Sequence, residues 1–309
     1  MNKAKKIGLT ALGTALVASS SYAGDLSVSG SASMTLVGQE GQVTNNGWSM
    51  ADSVTFSGSA EMDNGWTVSA SFELDGDDAG MDSRSITIDM GDTGTLKFRG
   101  HGSSGQVNAV DDKTPSANEE SWALITNADG PTNGNATVDN NWSYSNTITD
   151  TLALDISYQP SDASNVEGTV EAGLTYTGID GLTVGIATGE NKAAAAQVAN
   201  TAVYATYAVD AFTIGAQMNE SDSDTASADE DFSAYGISYA VSDDLSVSVN
   251  MSQIDYENTS LEDQEATGMS FSYTMGSMTV SGTHNEMDNI GGSSSDDRSG
   301  YELNLKFAF

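Results

Sequence analysis

Apolar and polar residues alternate along most of this sequence with a period of two. Near the beginning, Leu26, Val28 and Met34 share one set of alternate positions, and Ser or Thr occupies the positions between them. The last stretch, residues 301–309, alternates in the same way and ends on Phe309. Because successive side chains of a β-strand point to opposite faces, this period predicts strands with one apolar and one polar face.

Sixteen segments with this pattern follow one another, and short and long connections alternate between them. The predicted strands cover residues 25–37, 49–62, 66–74, 83–90, 95–101, 141–148, 152–159, 166–179, 182–189, 201–209, 212–220, 231–241, 245–256, 265–275, 278–287 and 298–309. Several short connections contain Asn-Gly or Asp-Gly, which favour tight hairpins because both central residues of a type I′ turn need a positive φ. The third long connection, residues 102–140, is the longest.

An even number of strands, with short turns at one end and long loops at the other, is typical of transmembrane β-barrels of the bacterial outer membrane. A soluble β-sandwich also alternates, so alternation alone does not decide between the two folds. Trp, Tyr and Phe cluster near the strand ends, as in the aromatic girdles of membrane barrels. We therefore predict an all-β protein, a 16-stranded antiparallel transmembrane β-barrel with both termini in the periplasm.

The N-terminal segment does not fit this pattern. Lys3, Lys5 and Lys6 precede a short apolar stretch, and the small residues Ser21 and Ala23 follow it. A positive start, an apolar stretch and a small-x-small site are typical of a secretory signal peptide. We predict a signal peptide over residues 1–23 and a single barrel domain over residues 24–309.

The composition excludes several classes of function. The 309 residues carry 44 acidic and 10 basic side chains, for a formal net charge of −34, and no cysteine. A nucleic-acid partner is excluded because a polyanion needs a basic surface. Without cysteine there is no disulfide, thiolate zinc site or cysteine nucleophile. A strongly negative protein concentrates cations and repels anions, which predicts a cation-selective channel.

The two ends of the predicted barrel carry a resemblance to a known family. The last strand, residues 301–309 with its terminal Phe309, and the opening strand, residues 26–30, resemble those of Gram-negative general diffusion porins. The resemblance implies a homotrimer in outer-membrane lipid, a third loop folded into each lumen, and passage of small hydrophilic solutes. It also implies that Phe309 is the signal read by the outer-membrane assembly machinery. The third loop lacks the Pro-Glu-Phe-Gly motif that many members of the family carry.

The charges of the third loop and of the strand before it are the candidate pore constriction. The acidic candidates are Asp111, Asp112, Glu119, Glu120 and Asp129. Lys97 and Arg99 alternate with apolar residues, so both face the lumen if the apolar side faces lipid, where a cation at mid-depth would cost ~2–4 kcal/mol. By the resemblance, basic residues of the wall face acidic residues of the loop. The alternatives are an acidic loop at the surface, and local pairing of Lys97 and Arg99 with Asp89 or Asp92.

Further charges are expected in the lumen or at its mouth. These other lumen-facing charges are Glu73, Arg84, Asp89, Asp155, Glu171 and Lys306. We expect no cofactor. Acidic runs at residues 75–82, 222–231 and 296–297 are possible sites for Ca²⁺ or Mg²⁺ bridging the protein to lipopolysaccharide, because hard cations favour oxygen ligands.

The resulting prediction of function is a passive outer-membrane channel for small hydrophilic solutes and ions. One alternative is a substrate-specific porin with a binding site along its pore. An alternative of another class is an exported acidic adhesin or surface-layer protein. The only histidines are His101 and His284, and no motif places either of them beside a nucleophile or metal. We therefore do not expect an enzyme.

Overall fold

The computed structural model describes residues 26–41, 47–76, 81–102, 104–131, 139–161, 167–191 and 197–309. The predicted signal peptide lies outside the described residues and stays a prediction. Within the described part of the chain, sixteen strands form one closed barrel in which each strand pairs with its neighbours in sequence and β1 pairs with β16. All of these pairs are antiparallel, so the predicted fold class is confirmed.

The strand bounds agree with the predicted segments to within a few residues. The strands are β1 Ser27–Gln39, β2 Trp48–Glu61, β3 Thr67–Asp75, β4 Met81–Asp89, β5 Thr95–His101, β6 Asn141–Thr149, β7 Leu152–Gln159, β8 Thr169–Ile179, β9 Leu182–Asn191, β10 Val198–Val209, β11 Phe212–Ser223, β12 Glu230–Ala240, β13 Leu245–Tyr256, β14 Gln264–Met275, β15 Met278–Asp288 and β16 Arg298–Ala308. We call the end with the short connections the turn end and the opposite end the loop end.

The burial of alternate residues is reversed relative to a water-soluble protein. On β13 and β14, Val249 is 48% exposed and pairs with Met269, which is 57% exposed. The neighbouring pair, Ser248 and Ser270, is only 5% and 7% exposed. Large apolar side chains therefore cover the outside of the barrel and small polar ones line its inside. This arrangement suits a wall between lipid and a polar lumen and is the opposite of a β-sandwich with an apolar interior.

The barrel closes where its first and last strands meet at the turn end. Ser31 pairs with Ala308, and the backbones of Gly30 and Phe309 exchange two hydrogen bonds of 2.7 and 2.9 Å. Gly30 has no side chain, and a methyl group there would lie 2.7 Å from the Phe309 ring. The last aromatic ring therefore packs over the first strand on the outer face.

Helical structure is slight in the described residues. It consists of three single 3-10 turns, Gly91–Thr93, Asn108–Val110 and Ile290–Gly292. No helix in this part of the chain is long and apolar enough to cross a membrane.

Candidate functional site

The connection between β5 and β6 packs against the inside of the barrel. We call its described portion, residues 104–131, the inner loop. Three apolar clusters join it to inward side chains of β9 to β15 and to the 3-10 turn Ile290–Gly292. They are Val107 and Val110 with Ala187, Ala202 and Tyr204; Trp122 with Phe232, Ala234, Ile254 and Tyr256; and Ile125 with Ala266, Met287 and Ile290. The Trp122 and Phe232 rings meet edge to face, with centroids 5.0 Å apart. The inner loop is therefore fixed to one side of the lumen.

Hydrogen bonds from polar side chains of the wall hold the backbone of the inner loop. The Gln217 Oε1 of β11 accepts bonds of 2.9 Å from the Thr114 N–H and hydroxyl groups, and the Ala117 N–H donates to Ser248 Oγ at 2.9 Å. On β15 the Asn285 amide donates to the Glu120 carbonyl at 2.7 Å. Loop backbone groups thus find partners although they lie away from the strands, which a buried loop requires.

One cavity of about 390 Å³ beside Trp122 is lined by four acidic residues, Asp111, Asp112, Glu119 and Glu120. The structure therefore brings together four of the five loop acids that the sequence selects. We call this the acidic cavity. Of its four acids, Asp112 is exposed, Glu119 and Glu120 are half-buried and Asp111 is buried. Acids crowded in this way raise one another's pKa, because each carboxylate disfavours ionisation of the next.

Burial is the main cause of the pKa shifts in the acidic cavity. It raises the pKa of Asp111 to about 6, against a favourable hydrogen bond from Asn108. Burial, and then the charge of Asp112, raises the pKa of Glu120 to about 8. The pKa of Glu119 is also raised, first by burial and then by the charge of Glu302 on β16. The acidic cavity is therefore only partly ionised at neutral pH.

Lys97 and Arg99 both face the inside of the barrel. On β5 they pair with Ser143 and Asn141 of β6, which are buried inward residues, and Arg99 Nη1 donates to Ser143 Oγ at 2.8 Å. Among the residues that the structure describes, neither basic side chain forms an ion pair with Asp89 or Asp92. Local pairing within the hairpin therefore does not account for these two cations.

Arg99 lines a second cavity of about 330 Å³, which we call the basic cavity. Lys113 of the inner loop, Asp155 of β7 and Tyr204 of β10 lie around the same space. Sequence reasoning missed Lys113, although it is a basic residue of the long loop, only one residue after Asp112. Lys113 also acts on Asp111 across the two cavities, since its charge lowers the pKa of that carboxyl group. Opposite charges thus line neighbouring spaces in the lumen.

Two of the predicted acids bind the inner loop to the wall. Glu171 faces inward on β8 but is only 1% exposed, and its Oε2 accepts a 3.0 Å hydrogen bond from the Val107 N–H. Asp129 accepts a 2.7 Å bond from the Tyr256 hydroxyl on β13, and Gln264 donates to its carbonyl oxygen at 2.8 Å. Neither residue lines the acidic cavity. Both hold an end of the inner loop.

The remaining predicted lumen charges lie at several levels of the barrel. Glu73 accepts a 3.1 Å bond from Ser83, Asp89 accepts a 2.9 Å bond from the Gly91 N–H at the turn end, and Lys306 pairs with Thr279 and Ser33 near the same end. None of them lines the acidic or the basic cavity.

Arg84 corrects one of the predictions, because it does not face the lumen. It lies between Ser83 and Ser85, which face inward with Glu73 and Arg99, and it pairs with the outward Phe72. The alternation of β4 therefore places Arg84 on the outer face. It lies near the loop end, where a long cationic side chain can reach the polar boundary of the membrane.

The two histidines and the described parts of the predicted acidic runs do not line the acidic or the basic cavity. His101 bonds to Asp139 at 2.5 Å at the loop end of β5, and His284 pairs with the outward Tyr301. In the described parts of the chain, no three histidine or acidic side chains are placed to hold a metal ion. The acidic run at residues 75–82 lies partly outside the described residues, and divalent-cation binding stays a prediction.

Comparison with known proteins agrees with the barrel. The family model of the Gram-negative porin matches residues 8–309. The comparison with curated proteins finds no significant match. Among solved structures, OmpT, an outer membrane protein of Vibrio cholerae, is 14% identical with a TM-score of 0.71, over 92% of this chain and 97% of that one. A triple mutant of Rhodopseudomonas blastica porin is 17% identical with a TM-score of 0.67, over 92% and 100% of the two chains.

At sequence identities of 14% and 17%, these structural matches show a common fold. The family is shown by its own model, which matches almost the whole chain. Together with the closed barrel of sixteen strands, this favours an outer-membrane channel over an adhesin or surface-layer protein. The chain belongs to the Gram-negative porin family.

Proposed function

We propose that this porin is a passive, cation-selective diffusion channel for small hydrophilic solutes and ions. The observation that carries the proposal is the acidic cavity of the inner loop, which is fixed inside the barrel by the wall of β8 to β16. The residues that line this cavity all belong to the inner loop, and its carboxyl groups give the lumen negative charge where they are ionised. Rings and rows of fixed charge in a pore determine which ions pass.

The positive residues of the lumen support a constriction with opposite charges on its two sides. Lys97 and Arg99 project inward from β5, and Arg99 lines the basic cavity together with Lys113 of the inner loop. The acids outnumber these bases within the lumen as they do in the whole chain, where the net charge is −34. An ion crossing between the two cavities therefore experiences a transverse field superimposed on a net negative potential.

The test is the reversal potential of the purified protein in a planar bilayer under a tenfold KCl gradient. We expect discrete conductance steps and a reversal potential of the sign that indicates preference for K⁺. The preference should weaken at high salt, because the Debye length falls from about 10 Å at 0.1 M to 3 Å at 1 M. Anion preference at low salt would contradict cation selectivity, and the absence of conductance steps would contradict the channel itself.

We further propose a homotrimer with both termini in the periplasm. The outer face of β1 to β3 supports contact between subunits: small residues meet where Gly58 pairs with Ala70, and Asp52 faces outward opposite Ala32. Small side chains allow surfaces to approach closely, and a carboxylate is costly against lipid. Light scattering of the detergent-solubilised protein tests this, and a monomeric mass would contradict the trimer.

A second candidate is a substrate-specific porin, and the basic cavity favours it. Arg99, Lys113 and Asp155 bring both signs of charge to one space of about 330 Å³ beside Tyr204. A small solute with a carboxylate and an ammonium group has the chemistry to bind there. Saturable flux of such a solute into liposomes would support this candidate, and flux that rises linearly with concentration supports simple diffusion.

A further inference from the structure

The inner wall beneath the inner loop contains a row of six positions, four of which are glycine. The six positions are direct cross-strand partners on β11 to β16, and all of them face inward. In order they are Gly215, Gly236, Asn250, Gly268, Asn285 and Gly300. We call this row the glycine track. Glycine inside a strand weakens the strand, and it often marks close approach by another backbone.

Atoms of the inner loop occupy the space that the glycines leave. A methyl group at Gly236 would lie 2.7 Å from the Pro115 carbonyl oxygen and 2.7 Å from Thr114 Cγ2, and its three nearest atoms all belong to the loop. A methyl group at Gly215 would lie 2.7 Å from Pro115 Cδ, and one at Gly268 2.9 Å from Ser121 Cα. Non-bonded carbon atoms are most stable ~3.5–4.0 Å apart, so a Cβ at any of these positions would overlap the loop.

The end of the track near β16 has more room. A methyl group at Gly300 would lie 3.3 Å from Ile125 Cγ1, which belongs to a side chain and not to the loop backbone. Because Ile125 is itself buried against Ala266, Met287 and Ile290, a small shift of its side chain relieves part of that contact and the loop takes up the rest. The closeness of loop and wall is therefore graded, from backbone contact at Gly236 to side-chain contact at Gly300.

One of the two side chains in the track binds the loop directly. The Asn285 amide donates to the carbonyl oxygens of Glu120 and Ala123, at 2.7 and 2.9 Å. Asn250, between Gly236 and Gly268, is 1% exposed beneath the loop. The track thus places the loop where it can approach the wall and holds it there beside Glu120.

We propose that the glycine track sets the distance between the inner loop and the wall, and thereby the bore of the channel at the acidic cavity. The inference rests on the proposed function as a diffusion channel. Each track strand is hydrogen-bonded to both of its neighbours, whereas the loop is held by side-chain contacts. An added methyl group therefore moves the loop and not the wall. Because the wall lies on one side of the loop, we expect the displaced loop to move toward the barrel axis.

The barrel also supplies a matched control. Gly173 of β8 faces inward as the track glycines do, since it pairs with Asp155 and Ala187. A methyl group at Gly173 would lie 3.6 Å from its nearest atom, the Ala187 Cβ, and 3.7 Å from Gln106 Cβ of the loop. These are ordinary van der Waals distances. Gly173→Ala therefore changes the same residue type on the same face of the wall without moving the loop.

The experiment compares single-channel conductance of the wild type, Gly236→Ala, Gly300→Ala and Gly173→Ala, each shown to be folded by circular dichroism and by heat-dependent gel mobility. For Gly236→Ala, contacts of 2.7 Å must lengthen by ~0.8 Å, so we expect a conductance decrease on the order of 10% or more. We expect a smaller decrease for Gly300→Ala. Gly173→Ala adds one methyl group to the lining of the basic cavity without pressing on the loop, so we expect the smallest decrease for this variant. Liposome swelling with sugars of increasing size should show the same order.

A variant that fails to fold can be distinguished from a result that refutes the proposal. If Gly236→Ala does not fold, Gly300→Ala still tests the proposal, because its contact is with a side chain that can move. Conductance equal to or above that of the wild type in the folded track variants would overturn the proposal. If the wild type itself formed no channels, the proposed function would fail instead.

Discussion

Raising the pH from 5 to 9 should increase the cation selectivity of the channel in two steps. The groups responsible are Asp111, whose pKa burial raises to about 6, and Glu120, whose pKa burial and the charge of Asp112 raise to about 8. A carboxyl group is neutral below its pKa and negative above it. The acidic cavity therefore gains one negative charge near pH 6 and a second near pH 8.

The ionised fraction of each carboxyl group follows from its pKa, because the ratio of the ionised to the neutral form changes tenfold per pH unit. Glu120 goes from about 1% ionised at pH 6 to about 90% at pH 9, and Asp111 from about 10% at pH 5 to about 90% at pH 7. Both pKa values are raised above those of the unfolded chain. The folded protein therefore binds more protons in this range, and its stability falls as the pH rises through each folded-state pKa.

The effect on ions can be worked out from Coulomb's law. A unit charge about 8 Å from the path of an ion in a water-like dielectric changes the energy of that ion by ~0.5 kcal/mol, with opposite sign for K⁺ and Cl⁻. The difference of ~1 kcal/mol corresponds to a ratio of about fivefold without salt. Since the Debye length is ~10 Å at 0.1 M, we expect roughly a two- to threefold rise per charge at that ionic strength.

The assay is the reversal potential in a KCl gradient at pH 5, 7 and 9, for the wild type and for Glu120→Gln. The substitution should abolish the alkaline step and leave the step near pH 6. Asp231→Asn is the matched control, because Asp231 pairs with Glu220 and Asp255 on the outer face and its charge does not enter the lumen. It should keep both steps. Cation preference that falls with rising pH, or the same profile in Glu120→Gln and the wild type, would refute the reasoning.

Three further predictions concern assembly, the basic wall and the anchoring of the loop. Deleting Phe309 should reduce folded protein in the outer membrane, because the ring over Gly30 and the closing hydrogen bonds are lost; normal amounts by heat-dependent gel mobility would contradict this. Changing Lys97 and Arg99 together to Ala should raise cation selectivity, measured as the reversal potential, and leave thermal stability unchanged. A purely structural role predicts unchanged selectivity and lower thermal stability. Phe232→Ala should destabilise the protein by ~3–5 kcal/mol, since this buried ring packs on Trp122, and unchanged thermal unfolding would count against the cluster.

Alternation was enough to predict the barrel and the orientation of its basic wall. A strand with one apolar and one polar face has only one orientation between lipid and water, so the inward placement of Lys97 and Arg99 follows from their spacing relative to Leu96 and Phe98. The same rule applied strictly also places Arg84 outward, between the inward Ser83 and Ser85. Treating Arg84 as a lumen charge because it lies near the mouth was therefore wrong.

Contacts between the loop and the wall could not be predicted in this way. The inward position of Glu171 is a matter of spacing, but its burial under the loop depends on where residues 105–107 pass. Likewise, Lys113 shares a cavity with Arg99 only because the loop turns at Asp111 and Thr114, where Gln217 binds it. The direction of a side chain in an irregular loop does not follow from its spacing in the sequence, so these contacts cannot be predicted from the sequence pattern.

The wall does carry a signal that the sequence alone left unused. The inward positions of β1, from Ser27 to Thr35, are all serine or threonine, as water requires. Those of β12 are Phe232, Ala234, Gly236 and then Ser238. An apolar or glycine residue at a lumen position is unfavourable beside water and favourable beneath a chain that excludes water. The half of the barrel with apolar or glycine residues at its lumen positions is therefore the half that the inner loop covers. The opposite half borders the passage.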